Sequence, residues 1–199
     1  WSGVNLKHLT LFNSCMGLDG ARLLANSLTS SLCSLEHLDV EVTAVFGWEG
    51  VQEFANAIND PRCKLQSLAL PRGGEEYEGH LFKSWMFEED WFAKLFQSNL
   101  KALALNGNDI AETGAKKIRE LLLSTGKKEC TLLHLDLCET RLENEGAQHI
   151  AEALKDKRCS LTSIDMKNND IDEDGIKFIL AAVQHVDCKI KKIDLLETR

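Results

Sequence analysis

The chain has 199 residues, 31 of them leucine, with 44% hydrophobic and 27% charged positions and only 13 glycines and 2 prolines. That balance excludes collagen-like and disordered chains and supplies ample core for a globular protein. A net charge of −8 argues against nucleic acid as the main partner, no apolar run is long enough to span a bilayer, and no basic start leading into an apolar stretch marks a signal peptide.

Leucine in such excess asks for a repeat search before anything else. The phrase Leu-x-x-Leu-x-Leu, or an aliphatic variant, opens at Leu6/Leu9/Leu11 and returns at Leu35/Leu38/Val40, Leu65/Leu68/Leu70 and Leu100/Leu103/Leu105. It continues at Leu132/Leu135/Leu137, Leu161/Ile164/Met166 and Ile190/Ile193/Leu195, so its first positions are spaced 29, 30, 35, 32, 29 and 29 residues apart. The phrase is too short for a helix, and its last two aliphatics keep the strand period of two. A turn residue follows in each unit except the last: Ser14, Thr43, Gly73, Asn108, Thr140 or Asn169. Next comes a glycine at a nearly fixed offset (Gly20, Gly50, Gly79, Gly114, Gly146, Gly175), which is read as serving the start of a helix. After it the apolar spacing turns helical, as in Leu24, Ala25, Leu28 or Ile150, Ala151, Leu154. Every unit thus reads strand, turn, helix, and none can bury its apolar face without a neighbour.

The pattern resembles the ribonuclease-inhibitor-like leucine-rich repeats, found also in NOD-like receptors and some bacterial effectors. Its most specific part is Cys-x-Leu-x-x-Leu-x-Leu, written here as Cys130–Leu137 and Cys159–Met166; Val4 and Ser98 stand where the first and fourth units lack the cysteine. The resemblance covers residues 4 to 198. It implies an α/β solenoid, a horseshoe of about seven 29-residue units, with a parallel sheet on the concave face and helices on the convex face. Residues 1–199 form a single domain on this reading. A start without methionine and an end inside a repeat predict a segment of a longer protein, or one capped by its own atypical end.

The third unit departs from the pattern. Its 35-residue spacing implies an insertion of about six residues, placed around 71–90. Seven of the 13 aromatics fall there or just after, at Tyr77, Phe82, Trp85, Phe87, Trp91, Phe92 and Phe96, and the stretch from Glu75 to Asp90 carries −5 of the net −8. Phe92 and Phe96 match the repeat helix and are expected in the core. The others are read either as a contact surface or as cover for the groove between repeats. The fourth unit ends in Ser124-Thr125-Gly126-Lys127-Lys128-Glu129, a longer polar loop to which no function is assigned.

Cys33, Cys63, Cys130, Cys159 and Cys188 each precede the strand leucine by two residues, and a slot repeated down the stack is read as a structural thiol. Seven cysteines and no export signal favour a reducing compartment: the cytoplasm, or the host cytosol for a secreted bacterial effector. Cys130, His134 and Cys138 share a spacing of four, but the repeat already explains Cys130 and a fourth ligand is missing, so no metal is expected. No nucleophile elbow, phosphate-binding loop or zincin helix is present, so no catalysis, cofactor or small-molecule substrate is expected.

Function then rests on residues between the inward aliphatics, which the resemblance implies line the concave face. One column runs Thr10, Asp39, Ala69, Ala104, Asp136, Asp165, Asp194, and two residues earlier another runs His8, His37, Ser67, Ala102, His134, Ser163, Lys192. After the strand stand Phe12, Glu41, Pro71, Asn106, Cys138, Lys167 and Leu196. Successive aspartates in the last units read both as a frequent family choice and as a local negative potential suited to a basic partner. The expected role is a non-catalytic module that binds a protein, with no nucleic acid or membrane involved. Its expected contact residues are Phe12, His37, Asp39, Glu41, Arg72, Tyr77, Trp85, Asn106, His134, Asp136, Asp165 and Lys167. An autoinhibitory or sensor segment of a larger receptor is the alternative, and a GTPase-activating scaffold a third.

Overall fold

A computed structural model describes residues 5–11, 16–40, 47–70, 84–125 and 129–195. Seven three-residue strands run in chain order: β1 His8–Thr10, β2 His37–Asp39, β3 Ser67–Ala69, β4 Ala102–Ala104, β5 His134–Asp136, β6 Ser163–Asp165 and β7 Lys192–Asp194. Each pairs in parallel with the next, giving one open sheet whose order is the sequence order. Between them lie α1 Leu18–Leu28, α2 Gly47–Ala57, α3 Asp90–Phe96, α4 Ala111–Leu122, α5 Glu143–Leu154 and α6 Glu173–Val183. This is the solenoid that the repeat spacing predicts.

The phrase aliphatics build the core in three layers. The residue opening the phrase (Leu35, Leu65, Leu100, Leu132, Leu161), the middle strand residue (Leu38, Leu68, Leu103, Leu135, Ile164) and the one after the strand (Val40, Leu70, Leu105, Leu137, Met166) are all buried. The helices close the core from the other side with an apolar stripe at helical spacing. In α5 this stripe is Gly146, Ala147, Ile150, Ala151, Ala153 and Leu154. Full burial of a leucine contributes about 2 kcal/mol, and only stacked neighbours make it available here.

The glycines do more than start helices, because several lie inside the first helical turn where a side chain has no room. A Cβ at Gly114 would stand 2.6 Å from Ile110 Cγ2 and 2.8 Å from Phe87 Cζ, and one at Gly175 2.5 Å from Asn144 Oδ1. They set how closely each helix approaches the preceding loop and the neighbouring unit.

The third unit builds its helical layer differently. A short 3-10 helix at Ser84–Glu88 precedes the seven-residue α3. Met86, Phe87, Trp91, Phe92, Leu95 and Phe96 are all buried. The Phe92 ring meets Phe87 edge-on at 5.1 Å and Trp91 at 5.8 Å, with Phe96 at 5.5 Å. Phe92 and Phe96 are core as expected, and Phe87 fills the gap toward α4. Four of the seven clustered aromatics are therefore packing rather than contact surface. Residues 71–83, which hold most of the expected insertion with Arg72 and Tyr77, lie outside the described residues, and Trp85 falls in the 3-10 helix.

Polar turn residues are interlocked between units. Asn169 is buried; its Oδ1 accepts from the backbone N–H of Thr140 (2.8 Å) and Leu142 (3.1 Å) and from the Thr140 hydroxyl (3.1 Å). Its Nδ2 donates to the carbonyls of Leu137, Met166 and Lys167 at 2.6, 3.0 and 3.1 Å. One carboxamide thus satisfies backbone groups of two units that have no access to water. Asn169→Ala is expected to lower stability by about 3 kcal/mol, read as a shift of the urea midpoint without a change of slope. A loss under about 1 kcal/mol would show that solvent reaches these groups after all.

Candidate protein-binding face

Strand alternation turns the middle residue inward and its two neighbours outward. The register makes each outward column continuous: His8, His37, Ser67, Ala102, His134, Ser163 and Lys192 pair in sequence, as do Thr10, Asp39, Ala69, Ala104, Asp136, Asp165 and Asp194. Both columns read from the sequence are therefore real rows on the concave face. Outside the described residues lie Phe12, Glu41, Arg72 and Tyr77.

The face has three chemically different zones. At the N-terminal end the rings of His8 and His37 stack at 4.2 Å, nearly parallel, with the Lys7–Glu36 ion pair alongside. In the middle, Ala69, Ala102 and Ala104 leave a shallow hollow of about 170 Å³, bordered by Ser67, His134 and Asp136. His134 is exposed, and Asp39 and His37 are half-buried.

In the C-terminal zone the aspartates are paired with lysines of the same face. Asp165 Oδ2 pairs with Lys167 Nζ at 2.9 Å, and Asp194 Oδ2 with Lys192 Nζ at 2.8 Å. The hydrogen bond to Asp165 raises the Lys167 ammonium, helped by the charge of Asp194, while Lys192 holds the Asp194 carboxyl below its usual range. The aspartates also have a backbone duty. Asp136 Oδ1 accepts the N–H of Cys138 (2.9 Å) and Asp165 Oδ1 that of Lys167 (3.0 Å), closing the turn after each strand. A structural role therefore explains part of this aspartate column. Lys192 joins the face as a residue missing from the expected contact set, although its spacing of two from Asp194 already put both on one side. Asn106 is a correction: it is only 8% exposed and so offers a partner little surface.

The chain matches a Leucine Rich repeat family over residues 97–118 and 157–180. It is 36% identical over 92 residues, 45% of its length, to the mouse "NACHT, LRR and PYD domains-containing protein 9B". It is 34% identical over 105 residues, 53% of its length, to the mouse "NACHT, LRR and PYD domains-containing protein 9C". The matched segments span 8% and 10% of those two proteins.

The thiols bear on what chemistry this face can perform. Burial pushes the Cys130 thiol up to about 11, and raises Cys63 and Cys159 as well. Cys138, on the concave side, is also pushed up to about 11, by burial first and then by Asp165, Glu139 and Asp136. Cys130 is buried while His134 is exposed, so their shared spacing does not make a common site. A raised pKa keeps the thiol protonated and a poor nucleophile. Iodoacetamide labelling of Cys138 near about pH 8 is expected to be at least tenfold slower in the folded than in the unfolded chain, and to rise with pH up to about 11; equal rates, read by peptide mass spectrometry, would contradict this.

Proposed function

We propose that this chain, with its leucine-rich repeat matches over residues 97–118 and 157–180, is a non-catalytic protein-binding segment whose contact surface is the concave strand face. The observation that carries the reading is the unbroken register of two outward columns across seven strands, with chemistry that changes from unit to unit. A stack of this kind offers an extended rigid surface on which a partner is read at several spaced points. The proposed contacts are His37 and Asp39 on one side of the alanine hollow, His134 and Asp136 on the other, and Asp165 with Lys167 beyond them. Phe12, Glu41, Arg72, Tyr77 and Trp85 are proposed as further contact residues. Six free thiols among the described residues suit a reducing compartment, which supports a cytoplasmic setting.

Similarity to two proteins named for NACHT, LRR and PYD domains favours a second reading, a sensor or autoinhibitory segment inside a larger receptor. The readings differ in where the contacted surface resides: on a separate protein, or on another domain of the same chain.

A His37→Ala, His134→Ala double variant is expected to weaken capture of a purified partner at least about tenfold. A convex-side control, Lys177→Ala, is expected to leave it unchanged. A Tyr77→Ala, Trp85→Ala pair reports on these two aromatic residues separately. Unchanged affinity for the concave double variant, measured by calorimetry, would refute the contact surface, and stimulated hydrolysis by a small GTPase would refute the non-catalytic role.

A further inference from the structure

Where helices return to strands, the fourth, fifth and sixth units together enclose a polar hollow of about 360 Å³. Its donors come from three separate stretches of chain: Ser124 and Thr125, then Lys157, Arg158 and Ser160, then Lys189. The polar loop that ends the fourth unit, left without a role by the repeat pattern, supplies the first of these.

Two of the three cations, Arg158 and Lys189, are each tied to a neighbouring unit by one hydrogen bond. Arg158 makes a fork with Asp156, Nε to Oδ1 at 2.9 Å and Nη2 to Oδ2 at 2.6 Å, and its Nη1 donates to the Leu123 carbonyl at 3.0 Å. Lys189 Nζ donates one hydrogen to the Lys157 carbonyl at 2.6 Å, which leaves two for a ligand. Lys157 Nζ makes no hydrogen bond or ion pair among the described residues. Among the described residues the Ser160 hydroxyl makes one long contact, 3.5 Å to the Cys130 carbonyl. Asp156 offsets Arg158 within the fork, so among the described lining residues Lys157 and Lys189 stand against one carboxylate, Glu129.

These features select the ligand class. Ammonium and hydroxyl donors gathered from three units suit a tetrahedral group with several acceptor oxygens better than a planar carboxylate with two. Glu129 and the chain's net charge of −8 disfavour a polyanion such as nucleic acid. We propose that this hollow binds one phosphomonoester group, its oxygens taken by the ammoniums of Lys157 and Lys189 and by the hydroxyls of Thr125 and Ser160. Arg158, already committed to Asp156 and Leu123, positions the wall. The site is separate from the concave face, and either assignment can fail without the other.

The test titrates inorganic phosphate into the full chain and follows the backbone amides of residues 124, 125, 157, 160 and 189 by NMR. Saturable shifts are expected above neutral pH, weakening as the pH is lowered and the phosphate dianion is protonated. Lys157→Ala with Lys189→Ala is expected to weaken binding at least about tenfold, with an unchanged melting temperature because both side chains are exposed. A phosphoserine peptide and its unphosphorylated twin distinguish the source. Phosphate-dependent binding tighter than that of inorganic phosphate supports a phosphorylated protein, and binding no tighter supports a small free phosphate ester. No saturable shift, equal affinity in the double variant, or the same shifts from chloride at equal ionic strength would each overturn the assignment.

Discussion

No single unit of this chain can hide its own apolar side, and that constraint organises everything else. Strand residues Leu38, Leu68, Leu103, Leu135 and Ile164 stand directly beside one another and are all buried. At the two outer strands Leu9 and Ile193 have a neighbour on one side and are only half-buried. Burial is thus a property of adjacency rather than of the individual unit, as expected of a quasi-one-dimensional stack.

The same adjacency spaces the surface. Parallel neighbours lie about 4.8 Å apart, so any two residues at equivalent outward positions are brought within touching distance. The stacked imidazoles of His8 and His37, at 4.2 Å, are a direct product of this spacing. Within a unit the period of two acts instead, and it joins Asp165 to Lys167 and Lys192 to Asp194. Potential along the concave face is therefore set by two short rules, one across units and one along each strand. Residues that sum to a strong acidic field on paper cancel locally in the folded chain.

Much of the fold was legible because it repeats. Seven phrases at a spacing near 29 give strand positions, register and inward residues without any contact being known. The aromatic cluster was harder, since Trp91 and Phe87 have the composition of a contact patch and the burial of a core. What sorts them is the shortened α3 and the 3-10 helix before it, which arise from one irregular unit and obey no period. Asn106 misled for a related reason: the second residue after the strand is half-buried at Cys138 and Lys167 but covered at Asn106. The hollow around Lys157 and Lys189 was invisible in sequence because its parts are some 30 residues apart and only the stacking of turns gathers them.

Asn169 carries a consequence for how the stack comes apart. It belongs to the sixth unit, yet its Oδ1 serves the Thr140 and Leu142 amides of the fifth. Backbone bonds follow the same sense, with Ile110 and Ala111 donating to the Thr140 carbonyl and Glu143 to that of Asn169. The turns leading into α4 and α5 are therefore finished by the unit that follows them. The turn into α6 is tied the other way, because Asn144 of the fifth unit accepts the Asp172 and Gly175 amides of the sixth. Loosening either unit thus exposes unsatisfied amides in its neighbour, so opening of the fifth and sixth units is coupled in both senses.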